Sequence, residues 1–252
     1  MMDKRKIILE GQRLTKNFKG LRANSAIDFT LVTGEILGLI GPNGAGKTTL
    51  VNMLSGSLPV TSGDVLFRGR SIKGLPPYKI GRLGIARTFQ IVKPFPQMTV
   101  LENVAVGAMF GKGGGKRSAT QSLTAAEEIV AFVGLEKFKG QAADELNVAS
   151  RKRLEIAKAM AMNPEVVLFD EVMAGLNPRE IDQAVELIRQ IRDRGISILI
   201  IEHVMRAIRA ISDRIFVLHH GEKIAEGSAA EVFNDAEVIR AYLGKRYRQE
   251  AS

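Results

Sequence analysis

The sequence predicts an α/β fold, a largely parallel layered sheet with a helical insertion. Three observations carry that expectation. An apolar run, Glu35-Ile36-Leu37-Gly38-Leu39-Ile40, leads into the glycine-rich Gly41-Pro42-Asn43-Gly44-Ala45-Gly46-Lys47-Thr48 and then into a helical pattern. Apolar strands alternate with amphipathic helices in the rest of the chain, the signature of a layered sheet. From Gln90 to about Asn163 the periodicity is helical throughout. No internal repeat is visible.

In chain order, residues Ile7 to Phe18 and Ala26 to Val32 read as strands of imperfect alternation. Thr33-Gly34 turns into the buried strand before the glycine-rich loop, and Thr49-Leu50-Val51-Asn52-Met53-Leu54 reads as the start of a helix. Pro59 to Gly63 is a turn, Asp64 to Phe67 a short strand and Ile85 to Phe89 another. Helices are expected over Thr99 to Met109, Leu123 to Val133 and Arg151 to Met162, with a basic glycine loop, Lys112 to Arg117, after the first. Val166 to Phe169 reads as a buried strand. Asn177 caps the next helix, with Pro178 at its first position and Glu180 three residues after the cap. Ile181, Val185, Ile188 and Ile191 form its apolar stripe and Gly195 ends it. Ser197 to Ile201 is a second buried strand. Arg214 to Leu218 and Glu222 to Glu226 read as a hairpin around Gly221.

Composition narrows the function. At 252 residues and 45% hydrophobic content the chain can bury one large core with a subdomain. It has no cysteine, which excludes disulfides and thiolate metal sites. The charged start, Met1 to Lys6, gives no signal-peptide pattern, and no apolar run approaches the ~20 residues of a membrane helix. The chain is expected to be soluble by itself. A formal charge of +9 suits nucleic acid, anionic lipid head groups or nucleotide. With no Trp and three Tyr, stacking platforms are scarce, so nucleic acid is the poorer match.

The glycine-rich segment fits the phosphate-cradling pattern G-x-x-x-x-G-K-[ST], in the strand, loop and helix context that the pattern requires. Gly41, Gly44 and Gly46 let successive N–H groups turn inward, and the helix start adds donors and partial positive charge. Lys47 brings a full charge to the β- and γ-phosphates, and the Thr48 hydroxyl is the expected Mg²⁺ ligand. Asp170 and Glu171 follow a buried strand, where open α/β sheets bind ligands. Asp170 is expected to hold Mg²⁺, directly or through water, and Glu171 to orient or deprotonate the attacking water. His203 ends the next strand and is expected to donate a hydrogen bond to the γ-phosphate. Gln90, at the junction with the helical stretch, can contact the metal ion or the water.

These residues, in this order and spacing, resemble the ATP-binding-cassette ATPases over nearly the whole chain. Gly41 to Thr48 looks like the Walker A loop, Val166 to Asp170 the Walker B strand, and Glu171 the catalytic glutamate. Gln90 is similar to the Q-loop residue, His203 to the switch histidine, and Ala174-Gly175-Leu176-Asn177 to the D-loop. The resemblance implies a single cassette over 1–252. Its P-loop NTPase (RecA-like) core would comprise 1–89 and 164–252 with an antiparallel β subdomain, and its helical subdomain 90–163. It implies ATP and Mg²⁺ as cofactors, an aromatic on adenine at Phe18, nucleotide contacts from Gly41 through Pro42, Asn43, Gly44, Ala45, Gly46, Lys47 and Thr48 to Thr49, and metal contacts at Thr48, Gln90 and Asp170.

A narrower resemblance lies in Gly84 to Gln90, Leu101-Glu102-Asn103-Val104, Ala174 to Pro178 and Ile201-Glu202-His203. These are similar to the ATPases of branched-chain amino acid importers, and within them to the longer of two paired subunits. That resemblance implies an ATP-hydrolysing importer subunit, peripheral on the cytoplasmic face of the cell membrane. Its implied partners are membrane permease subunits, a second ATPase or a second copy arranged head to tail, and indirectly an external solute-binding protein. The solute is expected to be a branched-chain or other amino acid or a related small molecule. The competing readings are a lipid or glycolipid exporter ATPase, an ATPase acting on nucleic acid or ribosomes, and a catalytically silent regulator. The intact Glu171 and His203 oppose the last.

One departure stands out. The family signature Leu-Ser-Gly-Gly-Gln reads here Leu146-Asn147-Val148-Ala149-Ser150, with both glycines gone. In the family this segment meets the γ-phosphate held by the opposite subunit. Asn147 retains an amide donor and Ala149 an N–H, but the β-branched Val148 disfavours positive φ and crowds a phosphate. In a heterodimer the expectation is an asymmetric pair of sites, with intact Walker motifs and a weakened signature offered to the partner. In a homodimer both sites would carry the weak signature. The alternative is that Asn147 and backbone contacts suffice and both sites turn over.

Overall fold

The computed structural model describes residues 6–88, 94–112, 115 and 117–242. In chain order the first elements are β1 (Ile7–Phe18), β2 (Leu21–Val32), β3 (Ile36–Ile40), α1 (Lys47–Leu54), β4 (Ser62–Phe67), β5 (Arg70–Ser71), α2 (Pro77–Leu83) and β6 (Ile85–Arg87). Next come α3 (Val100–Phe110), α4 (Ala119–Phe132), α5 (Val148–Ala161), β7 (Val166–Asp170) and α6 (Pro178–Asp193). The chain closes with β8 (Ser197–Ile201), α7 (Met205–Ile211), β9 (Arg214–His219), β10 (Glu222–Gly227) and α8 (Ala229–Asn234), followed by a helical segment over 236–242. These elements form two compact units, one from the chain up to Leu75 and from Ser197 onward, the other from Pro76 to Ile196.

In the first unit β3 lies parallel between β8 and β9, with Leu37 opposite Leu199 and Leu39 opposite Phe216. Every residue of β3 and β8 is buried, which is why both read as unbroken apolar runs without alternation. β10 pairs antiparallel with β9. A separate antiparallel sheet has the order β2-β1-β4-β5. Its long strands carry bulges where Arg13 and Ala26 adopt φ of 47°, and these interrupt the alternation seen in the sequence. Phe29 of β2 stacks on Phe216 of β9 with centroids 5.7 Å apart, a pairing that contributes about 0.5–1.5 kcal/mol beyond its buried area. Arg214 ties the same layers together through Glu35 and Glu226.

In the second unit β6 and β7 pair in parallel, Ile85 with Val166 and Arg87 with Leu168. Helices α3, α4 and α5 pack on one another. The unit contains the described residues of the stretch 90–163 together with α2, β6, β7 and α6. α6 starts as the sequence predicts. The Asn177 side chain accepts the Glu180 N–H, the Glu180 carboxylate accepts the Asn177 N–H, and Pro178 occupies the first turn. Ile181, Val185, Ile188 and Ile191 are buried, joined by Leu187.

The differences from the sequence reading are local. α1 begins at Lys47, two residues before Thr49, because Gly46 in the left-handed region serves as its N-cap. α5 begins at Val148, before the expected Arg151, because the Asn147 side chain caps it. β6 stops at Arg87, and Phe89 lies outside the described residues. α2, α7, α8 and the helical segment over 236–242 have no counterpart in the sequence reading. Each is six or seven residues, too short for a helical period to show.

Candidate active site

The glycine-rich loop leaves β3 at Gly41 and enters α1 at Lys47. Gly41 has φ of 153°, and a Cβ there would meet the Leu218 carbonyl oxygen at 2.1 Å, so the loop lies flush against the end of β9. The β9–β10 turn fixes its middle, with the Gly221 N–H donating to the Ala45 carbonyl at 3.0 Å. Asn24, fully buried, donates to the Gly46 carbonyl at 3.3 Å. Tyr242 lies at the other end of the loop. Burial pushes its phenol up to about 12, although a hydrogen bond from the Gly41 backbone pulls the other way.

Lys47 is buried. Its ammonium donates to the Gly41 carbonyl at 2.7 Å and to the Pro42 carbonyl at 3.0 Å, so the cation closes onto the loop's own backbone. No side chain caps α1, whereas α3, α4, α6 and α8 each start with a reciprocal capping box. The first-turn donors of α1 and a buried cation are therefore aimed at one place, an arrangement that receives phosphate oxygens. Thr48 is exposed and Thr49 half-buried at the start of the helix. Phe18, 43% exposed at the end of β1, has the Lys16 ammonium 5.1 Å from its ring centre. His203 is exposed just beyond β8, next to the buried Glu202.

In the second unit Asp170 ends β7 at 1% exposure. Its Oδ2 meets the Arg87 guanidinium at 3.0 Å, and its N–H donates to the Thr88 hydroxyl at 3.2 Å. Its Oδ1 is buried with no hydrogen-bond partner. An orphaned carboxylate oxygen on a strand end is the donor a hard cation or its water requires. Among the described residues no cluster of three or more His, Cys, Asp or Glu side chains could hold a metal ion. That donor set fits Mg²⁺, which is held by one or two carboxylates together with phosphate oxygens and water. Glu171 follows in the left-handed region at φ 53°, a conformation that costs a non-glycine residue about 1–3 kcal/mol. The buried Lys152 ammonium donates to the Glu171 carbonyl at 2.9 Å and holds that backbone in place.

The signature-like segment opens α5. The Asn147 side-chain oxygen accepts the Ser150 N–H at 2.8 Å, which leaves the Asn147 NH₂ as the donor its amide has to offer. Val148 is 56% exposed, Ser150 is buried, and Gly175 of the D-loop-like turn lies 3.9 Å, measured from an ideal Cβ, from a Val148 methyl. Gln90 lies outside the described residues, as do Phe89, Ile91, Val92 and Lys93. The segment that follows is held by Asn103, which is fully buried. Its side-chain oxygen accepts the Phe95 N–H at 2.8 Å, and its nitrogen lies 3.0–3.1 Å from the carbonyls of Phe95, Met98 and Thr99. The roles of Arg87, Lys152 and Asn103 go beyond what the sequence reading assigned. Arg87 and Asn103 fall within motifs that the sequence reading noted without giving either residue a role, and Lys152 left no trace there.

Comparison with known proteins places this geometry. A family profile described as "ABC transporter" matches residues 25–174, and one described as "Branched-chain amino acid ATP-binding cassette transporter" matches residues 222–248. The chain is 38% identical to the high-affinity branched-chain amino acid transport ATP-binding protein LivG of Escherichia coli K12, covering 94% of this chain and 98% of that protein. It is 33% identical to the lipopolysaccharide export system ATP-binding protein LptB of the same strain, over 95% and 98%. The crystal structure of the ADP conformation of MJ1267, an ATP-binding cassette of an ABC transporter, superposes with a TM-score of 0.85 at 30% identity, covering 95% of this chain and 99% of that one. Among the described residues no helix is long and apolar enough to cross a membrane.

Proposed function

The chain belongs to the ABC transporter family of ATP-binding proteins, and from that premise we propose that it is the ATP-hydrolysing subunit of an importer for branched-chain amino acids or related small solutes. The observation that carries this reading is the glycine loop, with Lys47 buried against it and α1 left uncapped. ATP phosphates take the place of the Gly41 and Pro42 carbonyls as partners of Lys47, and the α1 donors face them. Phe18 stacks on the adenine. Glu171 orients and deprotonates the attacking water, and its pinned backbone fixes where the carboxylate stands. His203 donates to the γ-phosphate as charge develops there. Thr48, Asp170 and Gln90 would hold Mg²⁺, which supplies charge neutralisation at the β- and γ-oxygens.

In this reading the chain is one cassette, with 90–163 as its helical subdomain. It sits on the cytoplasmic face of the cell membrane against permease subunits. It meets a second cassette, another ATPase or a second copy, head to tail. Asn147, Val148, Ala149 and Ser150 face that partner's nucleotide. The closed pair binds ATP better than ADP, and this differential affinity is what drives the permease. Gln90 and the segment to Pro96 pass the movement on.

ATP turnover and leucine uptake by the assembled complex in proteoliposomes test the reading. Glu171→Gln is expected to lower turnover by about 10²–10⁴-fold, the range for loss of a general base, and to abolish uptake. Turnover that survives Glu171→Gln assigns hydrolysis to the companion subunit. ATP-dependent extraction of lipid without uptake would favour the exporter reading, which the similarity to LptB keeps in play.

A further inference from the structure

We infer that Arg87 is a positioning residue for the metal-binding carboxylate, selecting which oxygen of Asp170 is offered to the cation. The parallel register of β6 and β7 sets Arg87 opposite Leu168, two residues before Asp170. Its guanidinium holds Asp170 Oδ2 at 3.0 Å, with side-chain exposures of 8% and 1%. The next residue, Thr88, secures the backbone at both ends of the same turn of strand. Its N–H donates to the Leu168 carbonyl at 3.0 Å and its hydroxyl accepts the Asp170 N–H at 3.2 Å. Of the two Asp170 carboxylate oxygens, Oδ1 is the one left without a hydrogen bond.

A carboxylate rotates about a broad, two-fold torsion, so a free Asp presents either oxygen in a range of directions. Binding one oxygen to a planar guanidinium removes that freedom. Arginine suits this role because its donors are fixed in a fork, whereas a lysine ammonium imposes no plane. Burial adds a second function. A carboxylate at 1% exposure requires a compensating partner before a metal arrives, and Arg87 supplies it. Partners that orient a metal ligand in this way typically change metal affinity ~10–100-fold when removed.

The inference rests on Asp170 being the metal carboxylate, and one experiment separates the two claims. Mn²⁺ is titrated into the full chain with saturating ADP, and free Mn²⁺ is read by electron paramagnetic resonance. ADP affinity is measured separately in EDTA. Arg87→Met is expected to weaken Mn²⁺ retention ~10–100-fold while leaving metal-free ADP affinity within about twofold, and Arg87→Lys to recover part of the loss. Wild-type retention in Arg87→Met overturns the inference, as does a parallel loss of ADP affinity in EDTA. Should Arg87→Met not fold, Arg87→Lys decides, and wild-type retention there overturns it equally. Asp170→Asn is the reference. If it retains Mn²⁺, the assignment of the site fails. If it loses Mn²⁺ while Arg87→Met does not, only the role of Arg87 fails.

Discussion

The starts of α1 and α5, both assigned to nucleotide phosphates in the proposed function, are built in opposite ways. α1 begins on Gly46, with no side-chain hydrogen bond capping it and a buried Lys47 beside it. α5 begins on Asn147, whose side chain covers the Ser150 N–H, and its next residue is an exposed Val148. A glycine cap leaves backbone donors for a ligand, whereas an asparagine cap uses one of them to hold its own helix. The first end is open to phosphate at a cost in helix stability, and the second is stable at a cost in openness. In the proposed head-to-tail pair, the first serves this chain's nucleotide and the second serves the partner's. Where the partner is a different ATPase, the contrast gives the expected asymmetry a physical basis.

Three changes break or sharpen that contrast. Lys47→Ala removes the cation from the open end. ATP affinity of the isolated chain should fall about 10–100-fold, as expected for losing charge-assisted hydrogen bonds, in a titration with a fluorescent ATP analogue. An unchanged affinity would mean that the loop binds without its lysine. Asn147→Ala uncaps the other end. It should lower unfolding stability by about 0.5–2 kcal/mol in urea denaturation and leave ATP affinity of the isolated chain alone. A drop in that affinity would place Asn147 in the chain's own site. The last change is Ala149→Gly combined with Val148→Gly, whose effect on turnover is expected to be the smallest. Returning the glycines should cost about 0.5–1 kcal/mol of helix stability per residue at most and raise turnover of the assembled complex. Unchanged turnover would show that the Asn147 amide and the backbone suffice.

The regular parts of the fold were legible because their information is local. The Asn177-Pro178-Arg179-Glu180 start of α6, the apolar runs of β3 and β8 and the glycine loop each state their structure within eight residues. What escaped was of two kinds. Seven-residue helices such as α2 and α7 present fewer than two turns, so no period emerges. Side-chain pairings across long stretches of chain leave no local mark. Arg87 and Asp170 are 83 residues apart, and nothing about an arginine in Ala-Arg-Thr announces a buried carboxylate partner. The same holds for Lys152 and the Glu171 carbonyl. The capping role of Asn147 fell between these kinds. Its motif reads in the sequence as a departure in phosphate contact, and the helix it caps starts at Val148, three residues before the expected Arg151.

Asn103 gives the segment from Phe95 to Thr99 a mechanical character. Its amide joins Phe95, Met98 and Thr99 to the first turn of α3, and Thr99 is itself the cap of that helix. The loop carrying the exposed Phe95 is therefore tied to the start of the helix through one buried amide. The loop and α3 behave as a lever and its shaft, cast in one piece. A stiff linkage of this kind carries small strokes faithfully, and it carries them in both directions. A load placed on Phe95 from outside reaches α3 as directly as a movement begun within the cassette reaches Phe95.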